Sequence, residues 1–328
     1  MATGSAPSGR GPLLAARRSG SGELVQWDTS EHDWLEGRGP VRHLVRLIDD
    51  ATSWSWGRFV ERDATPFNMA VLWEYLEENG RMVDVYTDRD AMFTVPSQPR
   101  ESVEQRRQAD RLTQIARALR ELGIGSILAL SPQAKGRVER SFRTGQDRLV
   151  KQLRLAKVTA LARANEFLEK EYWPEWNESF AKPAQEFPNA HRPLTEGLDL
   201  AAILCHVESR TLINDFTFPF AGKRYGIARE QTRPSMRNQK IRVELRLNYE
   251  LRVRYQGQYL EIAECKEEAK ALVPPATARR RPVRKASAHR CQEGRACRRN
   301  PSRTPRMAWP RPIPAVDTFR RWWFEQQP

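Results

Sequence analysis

Residues 24–60 decide the fold, and they read LVQWDTSEHDWLEGRGPVRHLVRLIDDATSWSWGRFV. Runs of aliphatic, β-branched and aromatic residues predict three strands in this stretch, at 24–28, 43–49 and 54–60. Side chains alternate along a strand, so Gln26 and Asp28 share one face of the first strand. Val25 and Trp27 lie on its opposite face. Because the three strands are close together in sequence, we expect them to form an antiparallel meander.

Helices and strands alternate after this meander. Thr65 and Pro66 open a helix with Thr65 as its cap, and Asn79 with Gly80 ends it. Further strands are expected at 82–88 and 124–130, and further helices at 110–122 and from about 133 to 155. The order βββαβαβα predicts an α/β domain in which helices flank a mixed sheet.

The composition excludes several classes of protein. The 328 residues include 55 Lys and Arg against 41 Asp and Glu, which gives a net charge of +14. The longest apolar run is residues 200–205, whereas a membrane-spanning helix needs about 20 residues. The four cysteines match neither a disulfide framework nor a CxxC pair. These features predict a cytoplasmic protein with no membrane partner.

Changes in composition and hydrophobic pattern divide the chain into five segments. They are a disordered N-terminus (1–21), the mixed-sheet domain (22–182), a linking segment (183–208), a small all-β barrel (209–268) and a basic tail rich in Pro and Arg (269–328). The tail contains few aliphatic residues and six prolines between 274 and 311, so we expect it to be disordered. Its charge favours binding to a phosphate backbone, and the alternative is a solvated linker.

The predicted barrel carries a second set of basic residues. Arg242, Arg246, Arg252 and Arg254 alternate with apolar residues and are expected to face outward. They can contact DNA phosphates, but arginine is equally common on a solvated strand face. The sequence leaves these two interpretations open.

Three acidic residues on separate elements are candidates for a metal site. Asp28 is expected to end the first strand, Asp88 to end the fourth, and Glu139 to lie in the third helix. Carboxylate oxygens are the ligands that Mg²⁺ prefers. The alternatives are turn caps for the two aspartates and, for Glu139, an ion-pair network with the neighbouring basic residues.

Four blocks in a fixed order carry a resemblance to a known family. They are QWD at 26–28, LIDDAT at 47–52, YTD at 86–88 and SPQAKGRVER at 131–140. Together they resemble the integrase catalytic core of bacterial insertion-sequence transposases, and in particular the ISNCY-type group, which shares retroviral-integrase-like DDE chemistry. The resemblance covers about residues 22–182 and implies an RNase H-like fold. The predicted barrel also resembles the C-terminal domain of that group.

The resemblance implies a function and a set of site residues. Asp28, Asp88 and Glu139 match the catalytic acids, which in this family hold two Mg²⁺ ions, and Mn²⁺ is expected to substitute. The implied reaction is metal-dependent DNA cleavage and strand transfer, by hydrolysis and transesterification of phosphodiesters. The residues expected to position DNA phosphates are Lys135, Arg137, Arg140 and Arg143.

Other acids near these blocks have competing interpretations. Asp49 and Asp50 belong to a matching block, but their place at the end of the second strand favours a turn or structural role. Asp90 is the rival of Asp88 for the second acid, because the two share the same strand parity.

The implied partners are the DNA ends of the element and a target DNA, with a homo-oligomer assembled on them in the bacterial nucleoid. Members of the group begin with a helix-turn-helix region, whereas here the first core strand begins near residue 24. We therefore expect the chain to lack that region. The alternative function is a truncated DNA-binding remnant of a transposase without productive chemistry.

Overall fold

A computed structural model describes residues 17–87, 92–93, 112–128, 136–185 and 189–265, with the backbone alone at 136–144. The predicted tail lies outside these residues. Within these ranges, no helix has the length and apolar character that crossing a bilayer requires.

The described residues of the first part of the chain form five strands and six α-helices. The strands are β1 (Leu24–His32), β2 (Arg42–Asp49), β3 (Ser55–Val60), β4 (Asp84–Thr87) and β5 (Gly125–Leu128). The helices are α1 (Thr65–Asn79), α2 (Gln114–Glu121), α3 (Gly136–Leu155), α4 (Leu161–Phe167), α5 (Trp173–Phe180) and α6 (Leu200–Ile203). A π-helical turn, Leu168–Tyr172, joins α4 to α5. The predicted order βββαβαβα is confirmed.

The five strands form one mixed sheet in the order β3-β2-β1-β4-β5. The three strands of the meander are antiparallel, and β4 and β5 add in parallel beside β1. This order places β1 at the centre of the sheet, where neighbouring strands fix its backbone on both sides. The mixed α/β fold expected from the sequence is therefore confirmed.

Helices cover both faces of the sheet. One face packs against α1 and α2, with a core that includes Val25, Trp27, Leu72 and Ile115. The other face packs against α3, α4 and α5, with a core that includes Leu44, Phe59, Leu149, Leu153 and Trp173. We call this second face the α3 face.

Three local predictions are wrong. Asp28 does not end β1, because the ladder to β2 continues through Thr29 and Ser30 to His32 despite their polar character. Thr65 is not the cap of α1. Ala64 occupies that position and supplies no side-chain hydrogen bond.

The third correction concerns the N-terminal segment. Its residues 17–21 were expected to be disordered, but two serine carbonyls there accept hydrogen bonds from distant parts of the chain. The carbonyl of Ser19 accepts from the backbone N–H of Gln185, and that of Ser21 accepts from Ala190. Residues far along the chain therefore order this segment, and no local pattern indicates it.

Seven further strands follow, and they form two sheets. They are β6 (His206–Thr211), β7 (Thr217–Phe220), β8 (Lys223–Ile227), β9 (Lys240–Leu245), β10 (Leu251–Tyr255), β11 (Gln258–Leu260) and β12 (Ile262–Glu264). One sheet has the order β11-β10-β9-β6 and the other β12-β8-β7. The single barrel stays a prediction.

The described residues divide into two compact units. The first contains the five-stranded sheet, its helices and residues 240–260. The second contains residues 211–239 and 261–265 of the described chain.

Candidate functional site

Asp28 lies in the middle of the central strand and is half-buried. Its antiparallel partner in β2 is Arg46. Side chains of directly opposed residues in an antiparallel pair lie on the same face of the sheet. Asp28 therefore shares the α3 face with Arg46, whereas Trp27 packs into the core on the other face.

Arg46 is almost completely buried, with 2% of its surface exposed. Its Nη2 donates a hydrogen bond of 2.9 Å to Ser55 Oγ. The guanidinium carbon lies 4.8 Å from the ring centre of Trp176 and 5.3 Å from that of Trp173. These contacts hold the guanidinium in one position.

Burial lowers the pKa of Arg46 to about 10, while Coulomb attraction to Tyr172 and Asp28 acts in the opposite direction. The guanidinium therefore stays charged at neutral pH. A fixed positive charge therefore lies beside Asp28 on the α3 face.

The helix that carries Glu139 packs on this same face. Gly145, in the middle of α3, accepts a hydrogen bond of 3.2 Å from the Tyr172 hydroxyl. A Cβ added at Gly145 would lie 3.2 Å from Nη1 of Arg46 and 3.4 Å from the Tyr172 hydroxyl oxygen. Glycine thus lets α3 approach the sheet closely, six residues along the helix from Glu139.

The structure describes none of the side chains of the other predicted site residues. Asp88 and Lys135 are not among the described residues, and for Glu139, Arg137, Arg140 and Arg143 only the backbone of α3 is described. Across the side chains that the structure does describe, no group of three or more His, Cys, Asp or Glu is placed to hold a metal ion.

Asp49 and Asp50 organise the turn after β2. One carboxylate oxygen of Asp49 accepts from Gly22 N at 2.6 Å, and the other from the N and Oγ1 of Thr52 at 2.8 and 2.6 Å. Asp50 accepts from Gln26 Nε2 at 2.6 Å. The prediction of a turn or structural role is confirmed: Asp49 holds the turn, and Asp50 binds a side chain of β1.

The four arginines singled out in the predicted barrel are all engaged in ion pairs. Arg242 binds Glu121 through two hydrogen bonds of 2.9 Å, and it also contacts the fully buried Glu244 at 2.8 Å. The other pairs are Arg246 with Asp199, Arg252 with Glu250 and Arg254 with Glu244. This pairing favours a structural role for these arginines.

A different row of arginines is exposed in the second unit. Arg229, Arg233 and Arg237 recur every fourth residue along two 3-10 turns, and all three are exposed. None of them forms an ion pair with any residue that the structure describes. The guanidinium of Arg237 lies over the ring of Phe216, at 5.3 Å. The regular spacing in AREQTRPSMR was the available sequence signal.

The Glu121 pair predicts a pH-dependent stability. Burial alone would raise the pKa of Glu121, but hydrogen bonds and charges from Arg242 and Arg117 outweigh it and hold the pKa below its ordinary value of 4.5. The stabilisation is therefore complete above pH 4.5 and is lost as the pH falls through the lower folded-state pKa. We expect Glu121→Gln to cost about 1 kcal/mol at pH 7. In urea titrations, the difference from the wild type should shrink steadily below pH 4.5, and a constant difference would contradict the assignment.

Two named proteins are similar to this chain, one over 74% of it and the other over 57%. A protein of Sinorhizobium fredii (strain NBRC 101917 / NGR234) named "Putative transposase y4bF" is 35% identical over 246 residues, covering 74% of this chain and 52% of that protein. The transposase for insertion sequence IS1202 of Streptococcus pneumoniae is 33% identical over 190 residues, covering 57% of this chain and 39% of that protein. The chain thus spans about half the length, or less, of these relatives. Both names confirm the resemblance to transposases.

No protein-family model matches the chain. Two solved structures overlap with it in part. The HTLV-2 integrase catalytic core domain in complex with magnesium has a TM-score of 0.31 at 14% identity, covering 45% of this chain and 85% of that one. The simian T-cell lymphotropic virus intasome in complex with the PP2A regulatory subunit B56 gamma has a TM-score of 0.36 at 13% identity, covering 76% and 81%. The fold assignment rests on the strand order and not on these overlaps.

Proposed function

We propose that this chain, a sequence relative of insertion-sequence transposases, carries the catalytic core of a DDE transposase that cuts and joins DNA strands. One observation carries the proposal: Asp28 lies on the central strand and faces the layer that contains α3, the helix of Glu139. A rigid strand and a closely packed helix are suited to bring two acids together.

The register of the sheet supports the second acid. β1 and β4 are parallel, and Gln26 pairs with Tyr86. Two residues further along the sequence from Gln26 and Tyr86 are Asp28 and Asp88. We propose that Asp28, Asp88 and Glu139 form one acidic site at this point, with Lys135, Arg137, Arg140 and Arg143 positioning the phosphates of the DNA.

The donor chemistry of this site fits Mg²⁺. Three carboxylates offer the hard oxygen ligands that Mg²⁺ prefers, and Asp28 is half-buried on a strand fixed from both sides. When bound, two Mg²⁺ ions would activate a water or a 3′-hydroxyl and stabilise the leaving oxygen. The part played by the chain is to hold its carboxylates in place and to orient the scissile phosphate. We expect Mn²⁺ to substitute.

The test is a cleavage and strand-transfer assay of the purified chain on duplexes that carry the ends of its element. Mg²⁺-dependent nicking that Asp88→Ala abolishes and Asp90→Ala leaves intact supports the proposal. The reverse result would assign the second acid to Asp90. Cleavage of unrelated duplexes without strand joining would indicate a general nuclease.

A non-catalytic DNA-binding remnant is the second candidate function. The exposed row of Arg229, Arg233 and Arg237 favours it, because this row can bind phosphates without any acidic site. Salt-sensitive DNA binding with no cleavage at any Mg²⁺ concentration would support the remnant.

The remnant predicts that the arginine row contacts DNA. Each lost phosphate contact lowers the slope of log K against log [salt] by about one. Replacing all three arginines by Ala should therefore lower this slope by about three. The slope of log K against log [salt] measures this. The matched control replaces Lys151, Arg163 and Lys170, each already paired with an acid, and should leave the slope unchanged. Equal slopes for both triple variants would place DNA elsewhere.

A further inference from the structure

The proposed function assigns no role to Arg46, the buried cation beside Asp28. Its guanidinium is fixed by two tryptophan rings and Ser55 Oγ, and a Cβ at Gly145 would come within 3.2 Å of it. Arg46 therefore touches the two elements whose acids must meet: it opposes Asp28 in the sheet and packs against the middle of α3.

A purely structural role explains this arrangement poorly. Removing a cation from water is costly, and an apolar side chain of similar volume often serves a packed layer at least as well. Arg46 stacks against the rings of Trp173 and Trp176, and an apolar side chain could also pack against these rings. What an apolar residue cannot supply is a directed positive charge beside a carboxylate.

We propose that Arg46 is a positioning residue for the metal site: it orients the carboxylate of Asp28 and, through its contact with Gly145, sets how closely α3 approaches the sheet. This inference rests on the proposed function, because it requires Asp28 to be a metal ligand. Groups that orient metal ligands typically change metal affinity by about 10- to 100-fold when they are removed.

The test measures Mn²⁺ binding to the full chain by electron paramagnetic resonance, together with the Mn²⁺ dependence of cleavage. Arg46→Met keeps a long, unbranched apolar side chain and removes the charge. We expect it to raise the half-saturating Mn²⁺ concentration by about 10- to 100-fold. Arg46→Lys keeps the charge but lacks the planar guanidinium. We expect its half-saturating Mn²⁺ concentration to be about 10-fold higher than that of the wild type.

The matched control is Arg58→Met. Arg58 is also buried and stacked on a tryptophan, Trp56, but it pairs with Glu74 and Glu78 of α1 instead of opposing Asp28. We expect Arg58→Met to lower the melting temperature and to leave the half-saturating Mn²⁺ concentration of the folded protein unchanged. An equal shift in both variants would mean that Arg46 acts only through stability.

Gly145→Ala tests the same idea if Arg46→Met does not fold. Alanine is a better helix former than glycine, so the substitution favours α3 locally while its Cβ crowds Nη1 of Arg46. We expect a folded protein whose half-saturating Mn²⁺ concentration is raised about 10-fold.

The outcomes separate the two proposals. Wild-type Mn²⁺ affinity in Arg46→Met, or in Gly145→Ala where Arg46→Met does not fold, overturns the role of Arg46 and leaves the proposed function standing, provided that Asp28→Asn loses the metal. A wild-type chain that binds no Mn²⁺, or an Asp28→Asn variant that binds it normally, overturns both.

Discussion

We expect Asp28→Asn to reduce the proposed metal-dependent DNA cleavage by about 10³-fold or more and to leave the chain folded. A metal ion that stabilises charge in the transition state is worth several kcal/mol, and each 1.36 kcal/mol is a factor of ten in rate. Asparagine has the shape of aspartate but not its charge, so it cannot complete the acidic site. Because Asp28 is only half-buried, the substitution has a small effect on packing.

The measurement is the cleavage rate at saturating Mg²⁺, with circular dichroism to verify the fold. Glu31→Gln is the matched control, since Glu31 is an exposed acid on the same strand. We expect its rate to equal that of the wild type. A rate near the wild-type value in Asp28→Asn would remove Asp28 from the site and with it the observation that carries the proposed function.

The order of elements could be predicted because it depends on local patterns. Alternation assigned Val25 and Trp27 to one face of β1 and Asp28 to the other, and their burial agrees. The end of α1 at Gly80 could also be predicted from the local sequence, because a φ of 82° favours glycine. The position of Asp28 within β1 could not be predicted from the local sequence, because pairing with β2 extends the strand to His32.

The surroundings of Asp28 could not be predicted for a similar reason. Arg46 is a buried cation among the apolar residues of β2, and the rings that enclose it come from Trp173 and Trp176, about 130 residues away along the chain. No periodicity links such distant residues. The pairing of Arg242 with Glu121 is equally non-local, so the sequence left the role of that arginine open.

Asp49→Ala should affect stability, whereas Asp28→Asn should affect activity. We expect Asp49→Ala to destabilise the fold by about 3 kcal/mol. The substitution leaves the buried N–H groups of Gly22 and Thr52 without their acceptor. These bonds tie the segment before β1 to the turn after β2, across 27 residues of sequence. Urea unfolding should show a lower midpoint with an unchanged m-value.

Two further variants test the mechanism of this loss. Asp49→Asn should also destabilise, because its amide has one acceptor oxygen, whereas Asp49 accepts through both oxygens, from Gly22 and from Thr52. Thr52→Val removes the hydroxyl, which donates to Asp49 and accepts from the N–H of Trp54, and it should cost about 2 kcal/mol. If Asp49→Ala were as stable as the wild type but inactive, Asp49 would be a member of the acidic site. Loss of activity at full stability is expected of Asp28, and loss of stability of Asp49, so the pair separates catalysis from the scaffold within one sheet.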